Sequence, residues 1–114
     1  MPFIHTMSST AISPEQEKAI KSRMGKAISI IPGKSENWLM LDFEDSCRLY
    51  FKGSNELPSA FIEVKLFGKA SADAYERLTA ELTEIVSSEL GIPSDRIYVK
   101  YEEVSYWGFN GRNF

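Results

Sequence analysis

Along this chain the spacing of apolar residues switches between a period of two and one near 3.6, with glycine, proline or a capping residue at each switch. Residues 2–7 alternate, with Pro2, Ile4 and Thr6 on one side and Phe3, His5 and Met7 on the other, which predicts a strand at the chain start. Ser13-Pro14-Glu15-Gln16 then signals a helix: Ser13 can cap, Pro14 suits the first helical position, and Gln16 can close a capping box. Ile20, Met24, Ala27, Ile28 and Ile31 recur at three- and four-residue steps as one apolar stripe, which Pro32-Gly33 ends. Residues 37–43 are apolar and too short for a helix between their turn signals, so they read as a buried strand, and 48–52 read as a second, brief one. Over 59–67, Ala60, Ile62, Val64 and Leu66 alternate with Glu63 and Lys65, a half-buried strand with one wet face. A second helix begins near Ser71 or Asp73, carries Ala74, Leu78, Leu82, Ile85 and Val86 on one stripe, and stops at Gly91 and Pro93. Residues 96–104 form a further long strand, with Tyr98 and Lys100 on one face and Ile97 and Val99 on the other. The tail, 106–114, mixes aromatics with Gly108 and Gly111 and is too apolar to be a solvated end.

Strand, helix, strand thus occurs twice, over 2–43 and 59–104. The expected class is α/β (α+β): two tandem βαβ units with parallel crossovers, paired into one four-stranded sheet with both helices on one face. The other face is left bare. On a chain of 114 residues, expected to be a single domain over 1–114, such a face predicts burial by a neighbouring subunit, and the aromatic tail offers material for that contact.

Composition removes several function classes. A net charge of −3 and the absence of a basic stripe argue against a nucleic-acid partner. No stretch approaches the ~18 apolar residues of a membrane span, and the first residues carry no secretory leader, so a cytoplasmic location is expected, with unconventional secretion invisible to this argument. The single cysteine, Cys47, excludes an internal disulfide. One histidine and carboxylates without metal-ligand partners predict no metal, and there is no glycine-rich phosphate loop.

Pro2 carries the candidate chemistry. Removal of Met1 would convert its amide nitrogen into a free secondary amine. Reference α-amino groups titrate near pH ~7.7 to 8.0, and an apolar pocket lowers that value, so such an amine is neutral enough at cellular pH to serve as a general base.

Several stretches, ordered along nearly the whole chain, resemble the macrophage migration inhibitory factor and D-dopachrome tautomerase family of the tautomerase superfamily. They are Pro2-Phe3-Ile4, Gly33-Lys34, Phe67-Gly68-Lys69, Pro93-Ser94-Asp95-Arg96-Ile97-Tyr98-Val99 and Gly108-Phe109-Asn110, while 41–58 is weakly matched. The resemblance implies a homotrimer with an active site at each subunit interface, and cofactor-free keto-enol tautomerisation of phenylpyruvate-like 2-oxo acids. It also implies roles for particular residues: Pro2 as the catalytic base, Lys34 at the substrate carboxylate, Tyr98 contributed by the adjacent subunit, and Phe67 at the family's aliphatic pocket-wall position. Trp107 and Phe109 are expected to keep the site apolar. Lys100 stands where better known members have asparagine, and two fates are open to it. It can enter the pocket as a second cation, or extend into solvent and do little. The family's Cys-x-x-Cys element is replaced by Ser59-Ala60-Phe61-Ile62, which speaks against a thiol oxidoreductase. The alternative implied by the resemblance is a secreted, cytokine-like protein that binds a receptor.

Overall fold

The computed structural model describes residues 1–114. Its principal elements are β1 (Pro2–Ser8), α1 (Pro14–Ala27), β2 (Met40–Glu44), β3 (Ala60–Phe67), α2 (Ala72–Leu90), β4 (Ile97–Val104) and a short terminal hairpin, β5 (Gly108–Phe109) and β6 (Arg112–Asn113). The main sheet has the order β2-β1-β3-β4. β1 pairs parallel with β2 and β3 parallel with β4, and the two units join through antiparallel β1 and β3. This is the expected pair of βαβ units.

Local chemistry sets the helix ends. Ser13 caps α1 by accepting from the Gln16 amide, while the Gln16 side chain accepts from the Ser13 amide, a complete capping box. Ser71 caps α2 in the same manner through the Ala74 amide, and α2 ends on Gly91 in the left-handed conformation, φ 69°. α1 stops at Ala27, earlier than Pro32-Gly33, because a tighter turn over Ile28–Ile30 takes up the chain.

Both helical stripes pack on the same sheet face. Ile20, Met24, Ile28 and Ile31 meet Leu78, Leu82, Ile85 and Val86 over Ile4, Ile62, Val64 and Leu66, all essentially without solvent contact. Burial of this face is the main stabilising term, at roughly 1.5 to 3 kcal/mol for each large aliphatic side chain. The opposite face presents Phe3, His5 and Met7 from β1, Met40, Asp42 and Glu44 from β2, Phe61, Glu63 and Lys65 from β3, and Tyr98, Lys100 and Glu102 from β4. It carries no covering element.

Two strand expectations are corrected. Residues 48–52 are not a strand: only an isolated bridge between Phe51 and Ser54 forms there, because the loop is held from the other side by Arg96. The strand expected over 37–43 begins at Met40, and it is a half-exposed edge strand instead of a buried one. Its first part is a single tight turn, Glu36–Trp38.

Candidate active site

The end of the sheet where β1 begins is a cavity of about 440 Å³. Pro2 is buried at its base, and Phe3, Trp38, Met40, Lys65 and Phe109 are among its walls. This volume lies within the range of small-molecule sites, roughly 300 to 1,000 Å³. Pro2 opens β1, a position where a residue without an N–H costs the ladder nothing. The chain before it is also fixed, since the Met1 carbonyl accepts from the Phe67 amide at 3.1 Å.

Lys34 reaches the same corner from the turn after α1, where Gly33 at φ 81° reverses the chain. Its ammonium donates to the Phe67 carbonyl at 2.8 Å and so is tethered beside the chain start. The Met1 amine is pulled down to about 6, first by burial, then by hydrogen bonding to Lys34 and the repulsion of its charge. The species titrating is the Met1 amine, which stands one residue ahead of the Pro2 nitrogen.

An aromatic chain encloses the site. Trp38 and Phe109 meet edge to face at 5.1 Å, Phe109 stacks on Phe114 at 6.1 Å, and Phe114 leans on Phe67 at 5.8 Å. The terminal hairpin is closed by the Phe114 amide donating to the Trp107 carbonyl at 3.0 Å. Trp38 is delivered by the Glu36–Trp38 turn, which seats on α1 because Gly25 leaves room for the Glu36 carboxylate.

Pro2, Phe109 and Trp107 therefore line one cavity, with Lys34 and Phe67 at its edge. Tyr98 does not. It pairs with Phe61, whereas Pro2 pairs with Leu66, five residues along β3 and roughly 17 Å away. There Tyr98 packs edge-on against Phe51 at 5.1 Å and remains 57% exposed. Beneath Phe51 lies Arg96, only 8% exposed and without a carboxylate. Its guanidinium is satisfied by the carbonyls of Pro58 and Ser54, each at 3.0 Å, and of Phe51 at 3.4 Å. This organises the wall beside Tyr98.

Lys100 is also remote from Pro2 and lies in an ion-pair cluster, 2.8 Å from Glu102 and 3.7 Å from Glu63. The Glu102 hydrogen bond and charge raise its pKa and lower that of Glu102 in return. Neither of its anticipated fates describes it fully: it is half-exposed, yet held by two carboxylates. His5 lies on the same face, with Nδ1 2.7 Å from Asp42 and Nε2 3.3 Å from Glu44.

Residues 1–114 match the family described as macrophage migration inhibitory factor (MIF). The chain belongs to this family. It is similar to MIF-like protein mif-2 of Caenorhabditis elegans, 31% identical over 81 residues, which cover 69% of this chain and 67% of the relative. The crystal structure of Leishmania major MIF2 superposes with a TM-score of 0.93 at 30% identity, covering 100% of this chain and 97% of that one. The Toxoplasma gondii macrophage migration inhibitory factor gives a TM-score of 0.90 at 26% identity, covering 98% and 99%. The fold is thus that of the MIF family within the tautomerase superfamily.

Three residues at or beside the cavity carry no local signal in the sequence. Trp38 sits in an apolar run, Lys65 on the wet face of a strand, and Phe114 in a generally aromatic tail. Alternation does put Phe3 and Lys65 on bare faces, but only strand register places them side by side.

Proposed function

We propose that this chain, once Met1 is removed, is a cofactor-free tautomerase of phenylpyruvate-like 2-oxo acids, with Pro2 as the general base. The observation that carries this reading is the burial of Pro2 at the base of an apolar cavity, at a corner where burial and the Lys34 charge lower the pKa of the amine that precedes it. An amine so placed is neutral at pH 7 and can take the proton from the carbon next to the substrate carbonyl. It then returns a proton to the carbonyl oxygen to give the enol, and ketonisation runs the same two transfers in reverse. Lys34 binds the substrate carboxylate and aligns the C–H with the amine, while the aromatic wall receives the ring and excludes water.

The reading also calls for a homotrimer. Tyr98 lies too far along β3 to reach its own Pro2, so its contribution to catalysis is made in the pocket of the adjacent subunit, across the uncovered sheet face. Exposed Met40, Tyr50, Leu57 and Tyr98 suit that contact.

The test is a spectrophotometric assay of phenylpyruvate enol ketonisation on protein whose first residue has been verified by intact mass. The wild-type protein is expected to turn over the enol and Pro2→Gly to lose that activity while keeping its oligomeric state. Retained activity in Pro2→Gly, or a mature chain that keeps Met1 and is still active, overturns the role of Pro2. A second reading, compatible with membership of this family, is cytokine-like receptor binding outside the cell. That reading predicts the protein in the medium and activity of Pro2→Gly at the receptor.

A further inference from the structure

Lys65 is the one side chain with a formal charge among the residues lining the cavity beside Pro2. Its register partners are Phe3 on β1 and Glu102 on β4. The ammonium stands 5.9 Å over the Phe3 ring and forms no ion pair within 4.0 Å. Glu102, the carboxylate best placed to neutralise it, is held by Lys100 at 2.8 Å. The two lysines of the open face therefore have unlike surroundings: Lys100 is paired with two carboxylates, whereas Lys65 faces an apolar cavity and feels the Glu102 charge only from beyond ion-pair distance.

We infer that Lys65 determines specificity by binding a second anionic group, so that the pocket prefers a dianionic aryl 2-oxo acid carrying a carboxylate on its ring. The inference rests on the tautomerase reading and names the substrate class of that site. Lys34 is tethered to the Phe67 carbonyl, and Lys65 lies two residues earlier on the same strand, roughly 7 Å back along β3. Both side chains are long, so their ammonium groups can bracket a ring that rests among Phe3, Trp38 and Phe109. Attraction between a distal carboxylate and Lys65 is strengthened by the apolar walls, which screen charge less than water does. Lys100 acts at one remove, as a positioning residue: by holding Glu102 at 2.8 Å it keeps that carboxylate from closing an ion pair with Lys65.

The experiment compares three substrates of the full-length processed protein: phenylpyruvate, 4-carboxyphenylpyruvate, and its neutral isostere 4-carbamoylphenylpyruvate. The dianion is expected to have the lowest KM. Lys65→Met should raise that KM about tenfold more than it raises KM for the other two, while Lys65→Arg restores the preference. Lys100→Met should raise KM for the dianion alone, by about threefold, as Glu102 turns to Lys65. Quenching of the cavity tryptophans by terephthalate against benzoate gives the same comparison without turnover, with terephthalate binding tighter and losing that advantage in Lys65→Met. Equal effects of Lys65→Met on charged and neutral substrates, or none on any, overturn the inference and leave the tautomerase reading intact. Absence of turnover with all three substrates would overturn the tautomerase reading, whereas the terephthalate comparison would still report on Lys65.

Discussion

Ile62 and Glu63 are neighbours on β3, yet they belong to different worlds. Ile62 is sealed under both helices, and Glu63 lies on the open face across from His5 and Lys100. β1 repeats this division, and the edge strands β2 and β4 alternate in the same sense with their inner residues only half-buried. On the covered face, aliphatic residues fill volume and make the fold stable. On the open face, cations, carboxylates and aromatics are arranged by register into rows, such as Asp42, His5, Glu63 and Lys100. The difference teaches that one periodic sequence encodes two things at once, a stable domain through one set of residues and recognition through the other. Pro2 stands where the two meet, buried like the covered set but opening into the cavity at the sheet end.

That position makes Pro2→Gly the largest expected effect on function. Loss of a general base costs about 100- to 10,000-fold in kcat/KM, and urea unfolding should find stability changed far less than activity. Next comes the covered face. Ile62→Ala is expected to cost about 2 to 5 kcal/mol, whereas Glu63→Ala next to it should cost no more than about 1 kcal/mol, since its pair with Lys100 is partly exposed. Equal losses from the two variants in chemical denaturation would erase the division between the faces.

The open face can be tested by mixing. Pro2→Gly and Tyr98→Ala should each be inactive alone, but subunit exchange between them should restore roughly a quarter of the wild-type sites, those joining an intact Pro2 to a neighbour's Tyr98. No recovery after demonstrated exchange would confine the site to one subunit. The smallest effect concerns pH. Burial and Lys34 hold the terminal amine below its usual value, so kcat/KM should rise with pH through an acid limb that lies below the ordinary α-amino range of ~7.7 to 8.0. Lys34→Met removes the cation that opposes protonation. The limb should therefore move upward toward that range, in a profile measured with phenylpyruvate.

Much of the fold was legible before any coordinates. The stripes of both helices, the Ser13 cap, the stop at Gly91 and the alternation of β1, β3 and β4 are all local patterns, and of the two starts open to α2, Ser71 and Asp73, the structure takes Ser71 as the cap. Reading failed where an apolar run had no period. Residues 37–43 split into a turn and an edge strand, and 48–52 were drawn into a loop by Arg96, whose carbonyl contacts span 38 to 45 positions of sequence. The candidate site divided in the same way. Pro2, Lys34 and Phe109 were nameable one at a time, but nothing local relates them to Trp38, Lys65 or Phe114.

What the sequence determined by itself is the set of elements and the face each residue takes, because periodicity and capping act over a few residues and depend on little else. Only the tertiary structure decided which faces became neighbours: that Lys65 stands by Phe3 at the mouth of the Pro2 cavity, that Lys100 is bound to Glu102, and that Tyr98 of β4 pairs with the end of β3 remote from Pro2. Register and chain reversal fix those relations, and they arise from the packing of distant segments against one another.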